Sequence, residues 1–160
     1  MDSSCKIAVI VVVYNKSCKE SITCQALKAL RHTKVSVLVY DNSVRDFGNA
    51  SYCEKQEWIY FSQGENVGIS KAYNVCVDHL KKYMLADYLC LFDDDTNISE
   101  EYFDTLNSAI NGYDADIYVP FIFSAGRLLS PCKIKPNFSV SMFKDCLLYT
   151  SPSPRDMRRS

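Results

Sequence analysis

Three consecutive carboxylates, Asp93, Asp94 and Asp95, follow directly on a short apolar run from Tyr88 to Phe92. A run of that length, bounded by polar residues, reads as a buried strand. In an open parallel sheet, ligands collect outside the carboxyl ends of the strands. Acids packed this closely repel one another, so a cationic partner is expected for some of them. Asp93 and Asp95 are two apart and share one face of an extended backbone, with Asp94 opposite. Two carboxylates on one side suit a hard divalent cation, Mg²⁺ or Mn²⁺, that also holds substrate phosphates. A solvated polar loop is the competing reading of the triplet alone, and the strand-end placement favours a site.

The elements that must position these acids alternate in type. Ile7–Val13 is a continuous, mostly β-branched run, the pattern of a central parallel strand buried on both faces. Ser17 and Glu20 form a possible capping box for a first helix, whose inward side carries Ile22, Ala26, Leu27 and Leu30. Residues 34–40 read as a second strand ending in Asp41, Asn42 and Ser43. Residues 45–56 are polar, with Gly48 and Asn49 as turn residues, and receive no assignment. A short strand at 58–61 and a loop at 63–68 lead to the clearest helix, 68–82. Its stripe is Ile69, Ala72, Tyr73, Cys76, Leu80 and Tyr83. After the acidic strand, Ser99 caps a helix with Glu100 and Glu101 in its first turn and Phe103, Leu106 and Ile110 facing inward. A strand at 116–120 and a hairpin turning at Ala125-Gly126 complete the pattern. Strands alternating with helices predict an α/β domain with a mostly parallel, Rossmann-like sheet flanked by helices.

Composition narrows the function. A chain of 160 residues with 48% hydrophobic content is one domain, or most of one, with ample core. The net charge of −1 gives no basic footprint for nucleic acid. The eight cysteines form no C-x-x-C pair and several fall in apolar stretches, so reduced, buried thiols are expected rather than zinc or a disulfide framework. No run has the length of a membrane span, and no secretory signal is legible at the N-terminus. The expectation is a cytoplasmic protein without a transmembrane segment, any membrane contact being peripheral, at the inner membrane face. From Cys146 the sequence CLLYTSPSPRD breaks every preceding pattern. Residues 1–145 are therefore read as the domain, incomplete at its C-terminus, and residues 146–160 as a non-native or disordered tail.

Four motifs stand in order: Val13-Tyr14-Asn15 at one strand end, Asp41-Asn42-Ser43 at a second, N-x-G-x-x-x-A-x-N from Asn66 to Asn74, and D-x-D-T from Asp93 to Thr96. Each alone is a weak signal, but the four at these spacings resemble the family-2 glycosyltransferases, which have the GT-A fold. The resemblance covers roughly residues 6 to 137, and Gly126-Arg127-Leu128-Leu129-Ser130-Pro131 looks like the rhamnosyltransferase-like branch. It implies inverting, metal-dependent transfer of a sugar from a UDP-sugar or dTDP-rhamnose to a glycan or lipid-linked glycan acceptor in cell-surface polysaccharide synthesis.

Roles follow residue by residue. A carboxylate at Asp41 can accept the imide N–H of a uracil or thymine ring, a role the resemblance also implies. A lone strand-end Asp is more commonly a turn acid. Gly68 permits close backbone approach and opens a helix whose N-terminus favours phosphate. Lys71, one turn in, is a candidate diphosphate contact or a solvated surface lysine. Asn66 and Asn74 are candidate braces for the loop. Val13, Tyr14 and Asn15 border the donor site, with Tyr14 either stacked on the base or packed in the core. Asp93 faces the ribose or the metal, and Asp95 ligates the metal. An inverting transfer needs a general base. The resemblance places it well C-terminal to the D-x-D, so no residue here is assigned to it. His32 and His79 read as surface or packing residues.

Other classes fit less well. A haloacid-dehalogenase-type phosphatase needs Thr where Asn97 stands. A sugar-nucleotide pyrophosphorylase needs a Gly-rich, Arg-containing loop where Tyr14-Asn15-Lys16 stands. A receiver-type signalling domain needs an acid pair after the first strand. A nucleotide-binding fragment without turnover is the remaining alternative.

Overall fold

A computed structural model describes residues 5–30, 35–124, 127–130, 132–134 and 140–142. The chain divides into two compact units, Met1–Asp104 and Thr105–Ser160. The first contains β1 (Ile7–Val13), α1 (Ile22–Ala29), β2 (Val35–Asp41), α2 (Asn49–Lys55), β3 (Ile59–Ser62), α3 (Ile69–Tyr83) and β4 (Tyr88–Asp93). A further helix, α4 (Glu100–Gly112), begins in the first unit and continues into the second.

The four strands form one parallel sheet in the order β3-β2-β1-β4. Central β1 is buried along almost its whole length, as its β-branched run requires. On one face Ala8, Ile10, Leu38 and Tyr40 pack against Ala72, Cys76 and Leu80 of α3. The alternate side chains Val9, Val11 and Val13 point to the opposite face and are also fully buried, so the sheet centre is covered on both sides. The Tyr40 hydroxyl is buried there without a hydrogen-bond partner among the described residues. His79 of α3 packs between the rings of Phe61 and Tyr83, at centroid distances of 5.1 and 4.7 Å. It is a packing residue, as expected, while His32 lies outside the described residues.

Several expectations are corrected. The first helix starts later than the Ser17–Glu20 box, which closes only a preceding turn; α1 is capped by Ser21, whose hydroxyl accepts the Cys24 N–H at 3.1 Å. Its buried face is Thr23, Cys24 and Leu27, and Ile22 is exposed. Residues 49–55, unassigned from sequence, form α2. Ile69 and Tyr83 at the two ends of α3 are exposed, because only its middle, Ala72 to Leu80, lies over the sheet. β4 is an edge strand: Cys90 and Phe92 are buried, but Leu89 and Leu91 on the other face are 38% and 51% exposed.

In the second unit residues 116–120 form no strand. Proline at 120 has no N–H to give a ladder. The expected hairpin is present as β5 (Ile122–Ser124) paired antiparallel with β6 (Arg127–Ser130). A second antiparallel pair, β7 (Cys132–Ile134) with β8 (Val140–Met142), was not predicted. The tail at 146–160 lies outside the described residues. Six of the eight cysteines are described as free thiols, five of them buried. No helix among the described residues is long and apolar enough to cross a membrane.

Candidate functional site

Because every pairing in the sheet is parallel, all strand ends carrying motif residues fall on one edge. Register puts Asp41 beside Val13 and Asp93 beside Val12. Asp41 and Asp93 are thus two strand spacings apart, about 10 Å. The connection from β3 to α3, which holds Asn66 and Gly68, leaves from the same edge.

The ends of β1 and β2 are stitched together. The Asn42 N–H donates to the Val13 carbonyl at 2.8 Å, and the Asn15 N–H donates to Ser43 Oγ at 2.8 Å. Asn15 adopts a left-handed conformation (φ 51°), which asparagine tolerates better than most residues. Tyr14 is 51% exposed and so is not a core aromatic.

Asp41 is 3% exposed, and its carboxylate already has three donors. The Ser43 N–H lies 3.0 Å from Oδ1; Asn49 Nδ2 and the Tyr60 hydroxyl lie 2.7 and 3.2 Å from Oδ2. A carboxylate offers about four lone-pair sites, so roughly one remains. Burial, then the Asp41 charge, push the Tyr60 phenol up to about 12.

Asn42, buried beside Asp41, reaches across to the next loop. Its Nδ2 donates to Asn66 Oδ1 at 2.8 Å, and its Oδ1 accepts the Val67 N–H at 2.8 Å. Asn66 Oδ1 also accepts the Gly68 N–H at 3.0 Å. Asn66 is therefore a brace, as expected, whereas Asn74 is exposed on α3 and makes no such contact among the described residues. Gly68 holds φ 81°, ψ 155°, a region essentially confined to glycine. Lys71 is exposed in the first turn of α3.

The acidic loop is held from α1. The Thr23 hydroxyl lies 2.5 Å from the Asp93 carbonyl and 3.0 Å from that of Thr96, and accepts the Thr96 N–H at 2.8 Å. Ser21 Oγ donates to the Asp94 carbonyl at 2.7 Å, and the Thr23 N–H points to the same oxygen at 3.4 Å. The cationic partner expected for the acids is Lys16, whose Nζ lies 2.8 Å from Asp94 Oδ2. That hydrogen bond to Asp94 holds the Lys16 ammonium above its ordinary range, against some desolvation.

Asp93 and Asp95 are left exposed, with no ion pair among the described residues. The described residues contain no cluster of three or more His, Cys, Asp or Glu able to hold a metal. Two free, hard carboxylate ligands nevertheless fit Mg²⁺ or Mn²⁺, which binds through one or two carboxylates and completes its shell with water and substrate phosphates.

Sequence reasoning missed Lys16, Ser21, Thr23, Asn49 and Tyr60. Ser21 alone carried a local signal, as a serine immediately before an apolar helical stretch.

Residues 8–150 match the family described as Glycosyl transferase family 2. The chain belongs to glycosyl transferase family 2. Among curated proteins it is 32% identical over 126 residues to Glycosyltransferase GlyA of Streptococcus pneumoniae serotype 4, a match covering 74% of this chain. Among solved structures, S. aureus TarS 1-349 superposes with a TM-score of 0.50 over 66% of this chain at 22% identity, which carries the GT-A fold. The family-2 chain spans 17% of the length of GlyA and 32% of TarS 1-349.

Proposed function

We propose that this chain is the donor-binding part of a glycosyltransferase that moves a sugar from a UDP-sugar or dTDP-rhamnose to a glycan or lipid-linked glycan acceptor, with inversion, in cell-surface polysaccharide synthesis. The observation that carries the reading is the convergence of Asp41, the Asn66–Gly68 loop and the acidic loop on one carboxyl edge of a parallel sheet. Asp41 uses its remaining lone pair for the imide N–H of the base. Tyr14, exposed at the end of β1, offers a ring face to the base, and Asn15 follows it at the rim of the site. The start of α3 and Lys71 face the diphosphate.

Asp93 and Asp95 are the residues that would hold Mg²⁺ or Mn²⁺. The bound ion supplies a Lewis acid that offsets charge building on the leaving nucleoside diphosphate. The rhamnosyltransferase-like reading rests on residues 126–131, of which Arg127–Ser130 form β6.

No residue of the chain is assigned as the general base. Binding of the donor product without sugar transfer is therefore the expected behaviour of this polypeptide. Calorimetry with UDP, dTDP and ADP, with and without Mn²⁺, tests the reading. UDP or dTDP should bind in a metal-dependent way at roughly micromolar to millimolar Kd, as enzyme substrates do. Equal binding of all three nucleotides regardless of metal removes the basis for the donor site. Robust sugar transfer by this chain alone shows that it contains the base.

A further inference from the structure

We propose that Thr23 is a positioning residue of the metal–diphosphate site, its hydroxyl setting the path of the loop that carries Asp93 and Asp95. The inference rests on the donor-site reading above and adds a residue that none of the four motifs contains.

Thr23 is fully buried in the first turn of α1, 70 residues from Asp93 in sequence. At the second position of α1 no carbonyl of its own helix lies three or four residues behind, so the Thr23 hydroxyl is free to take partners elsewhere. Here all three polar contacts of the hydroxyl go to the backbone of Asp93 and Thr96. One hydroxyl proton serves one acceptor at a time, and the nearer Asp93 carbonyl takes it, leaving the oxygen lone pairs for the Thr96 N–H. The Thr23 N–H belongs to the first turn of a helix, where amides lack intrahelical partners, and it too points into the loop, at Asp94.

This division of labour explains how two mutually repelling acids are held at fixed spacing. Asp94 is secured through its side chain by Lys16. The Asp93 and Asp95 carboxylates have no comparable ion pair among the described residues, so the backbone beneath them decides where they point. That backbone is tied at Asp93 and Thr96 by one hydroxyl. A divalent ion with near-octahedral demands tolerates little drift in its ligands. Loosening the loop should therefore weaken metal-dependent diphosphate binding while sparing the base contacts at β1 and β2.

The test compares Thr23→Val, Thr23→Ser and the wild-type chain by calorimetry with UDP plus Mn²⁺ and with UMP in the absence of metal. Thr23→Val should lose about tenfold in UDP–Mn²⁺ affinity, the equivalent of about one buried hydrogen bond, with UMP affinity unchanged. Thr23→Ser, which keeps the hydroxyl, should recover to within about twofold of wild type. Hydrogen exchange should show the Thr96 amide less protected in Thr23→Val and protected again in Thr23→Ser. If Thr23→Val does not fold, Thr23→Cys, similar in size and a weaker donor, should give an intermediate loss confined to UDP–Mn²⁺. A folded Thr23→Val with wild-type UDP–Mn²⁺ affinity overturns the proposal. So does an equal loss for UMP, which would mark a general structural role. Wild-type UDP binding indifferent to Mn²⁺ overturns the metal site itself, a failure distinguishable because it appears before any substitution is made.

Discussion

Replacing Asn49 with alanine should destabilise the protein more than any surface change near the carboxyl edge of the sheet. Asn49 is fully buried at the start of α2, and its amide makes three hydrogen bonds. Nδ2 donates to Asp41 Oδ2 at 2.7 Å and to the Lys16 carbonyl at 3.0 Å, while Oδ1 accepts the Cys18 N–H at 2.7 Å. The bond to the carboxylate is charge-assisted, worth about 1.5–3 kcal/mol, and each neutral bond is worth about 1 kcal/mol. Alanine leaves a buried N–H, a carbonyl and one carboxylate oxygen short of partners, so the loss is about 4 kcal/mol. At about 2–4 °C per kcal/mol for a chain of this size, Tm falls by about 8–16 °C. Differential scanning calorimetry reads this directly. Asn49→Asp provides the control: it keeps the shape but sets a second carboxylate against Asp41. It should be destabilised at pH 7 and recover part of the loss as the pH falls and one of the pair is protonated. An Asn49→Ala protein melting within about 2 °C of wild type would refute the idea that this amide holds the edge together, since even one lost hydrogen bond should move Tm that far.

Tyr40→Phe removes a buried hydroxyl that has no partner among the described residues. It should raise stability by about 1 kcal/mol, seen as a higher urea midpoint with an unchanged slope. Along β4, Phe92→Ala should cost about 3–5 kcal/mol and Leu91→Ala less than about 1 kcal/mol in urea unfolding, because only Phe92 is buried. Burial pushes the Cys76 thiol up to about 12 and the Cys90 thiol up to about 11, the latter partly offset by Tyr102. Both groups keep their protons more firmly when folded. Their stabilisation is complete below the unfolded thiol value of 9.0 and is lost as pH rises toward about 12, so Tm should decline over that window and less steeply in Cys76→Ala.

The fold was legible where a side-chain pattern reported burial on its own. β1 announced itself through seven consecutive apolar residues, and the middle of α3 through Ala72, Cys76 and Leu80. β4 carried the same apolar signal but lies at a sheet edge, and sheet position is not written in a strand's own residues. α2 was missed because a seven-residue helix with Tyr52 and Cys53 as its buried apolar pair has no stripe to read, and its N-cap, Gly48, contributes no side-chain hydrogen bond. In the site, the residues at the strand ends could be placed from strand order alone. Thr23, Asn49 and Tyr60 could not. Their roles consist of hydrogen bonds to partners 70, 8 and 19 residues away, and a buried threonine, asparagine or tyrosine looks no different in sequence when its partner is elsewhere.

The strand order also has a kinetic side. β1 meets β2 across a separation of 28 residues, whereas its other neighbour, β4, arrives from 81 residues away. Closing the longer span costs about 1 kcal/mol more chain entropy, and non-local pairings of this kind slow folding. The half of the sheet that carries Asp41 can thus assemble before the half that carries Asp93. Pulsed hydrogen exchange during refolding should find the amides of β2 protected ahead of those of β4; simultaneous protection would mean that the two halves condense as one. A chain emerging from the ribosome would accordingly form the Asp41 side of the sheet edge first, and its acidic loop would stay unformed until β4 docks and α1 closes over it.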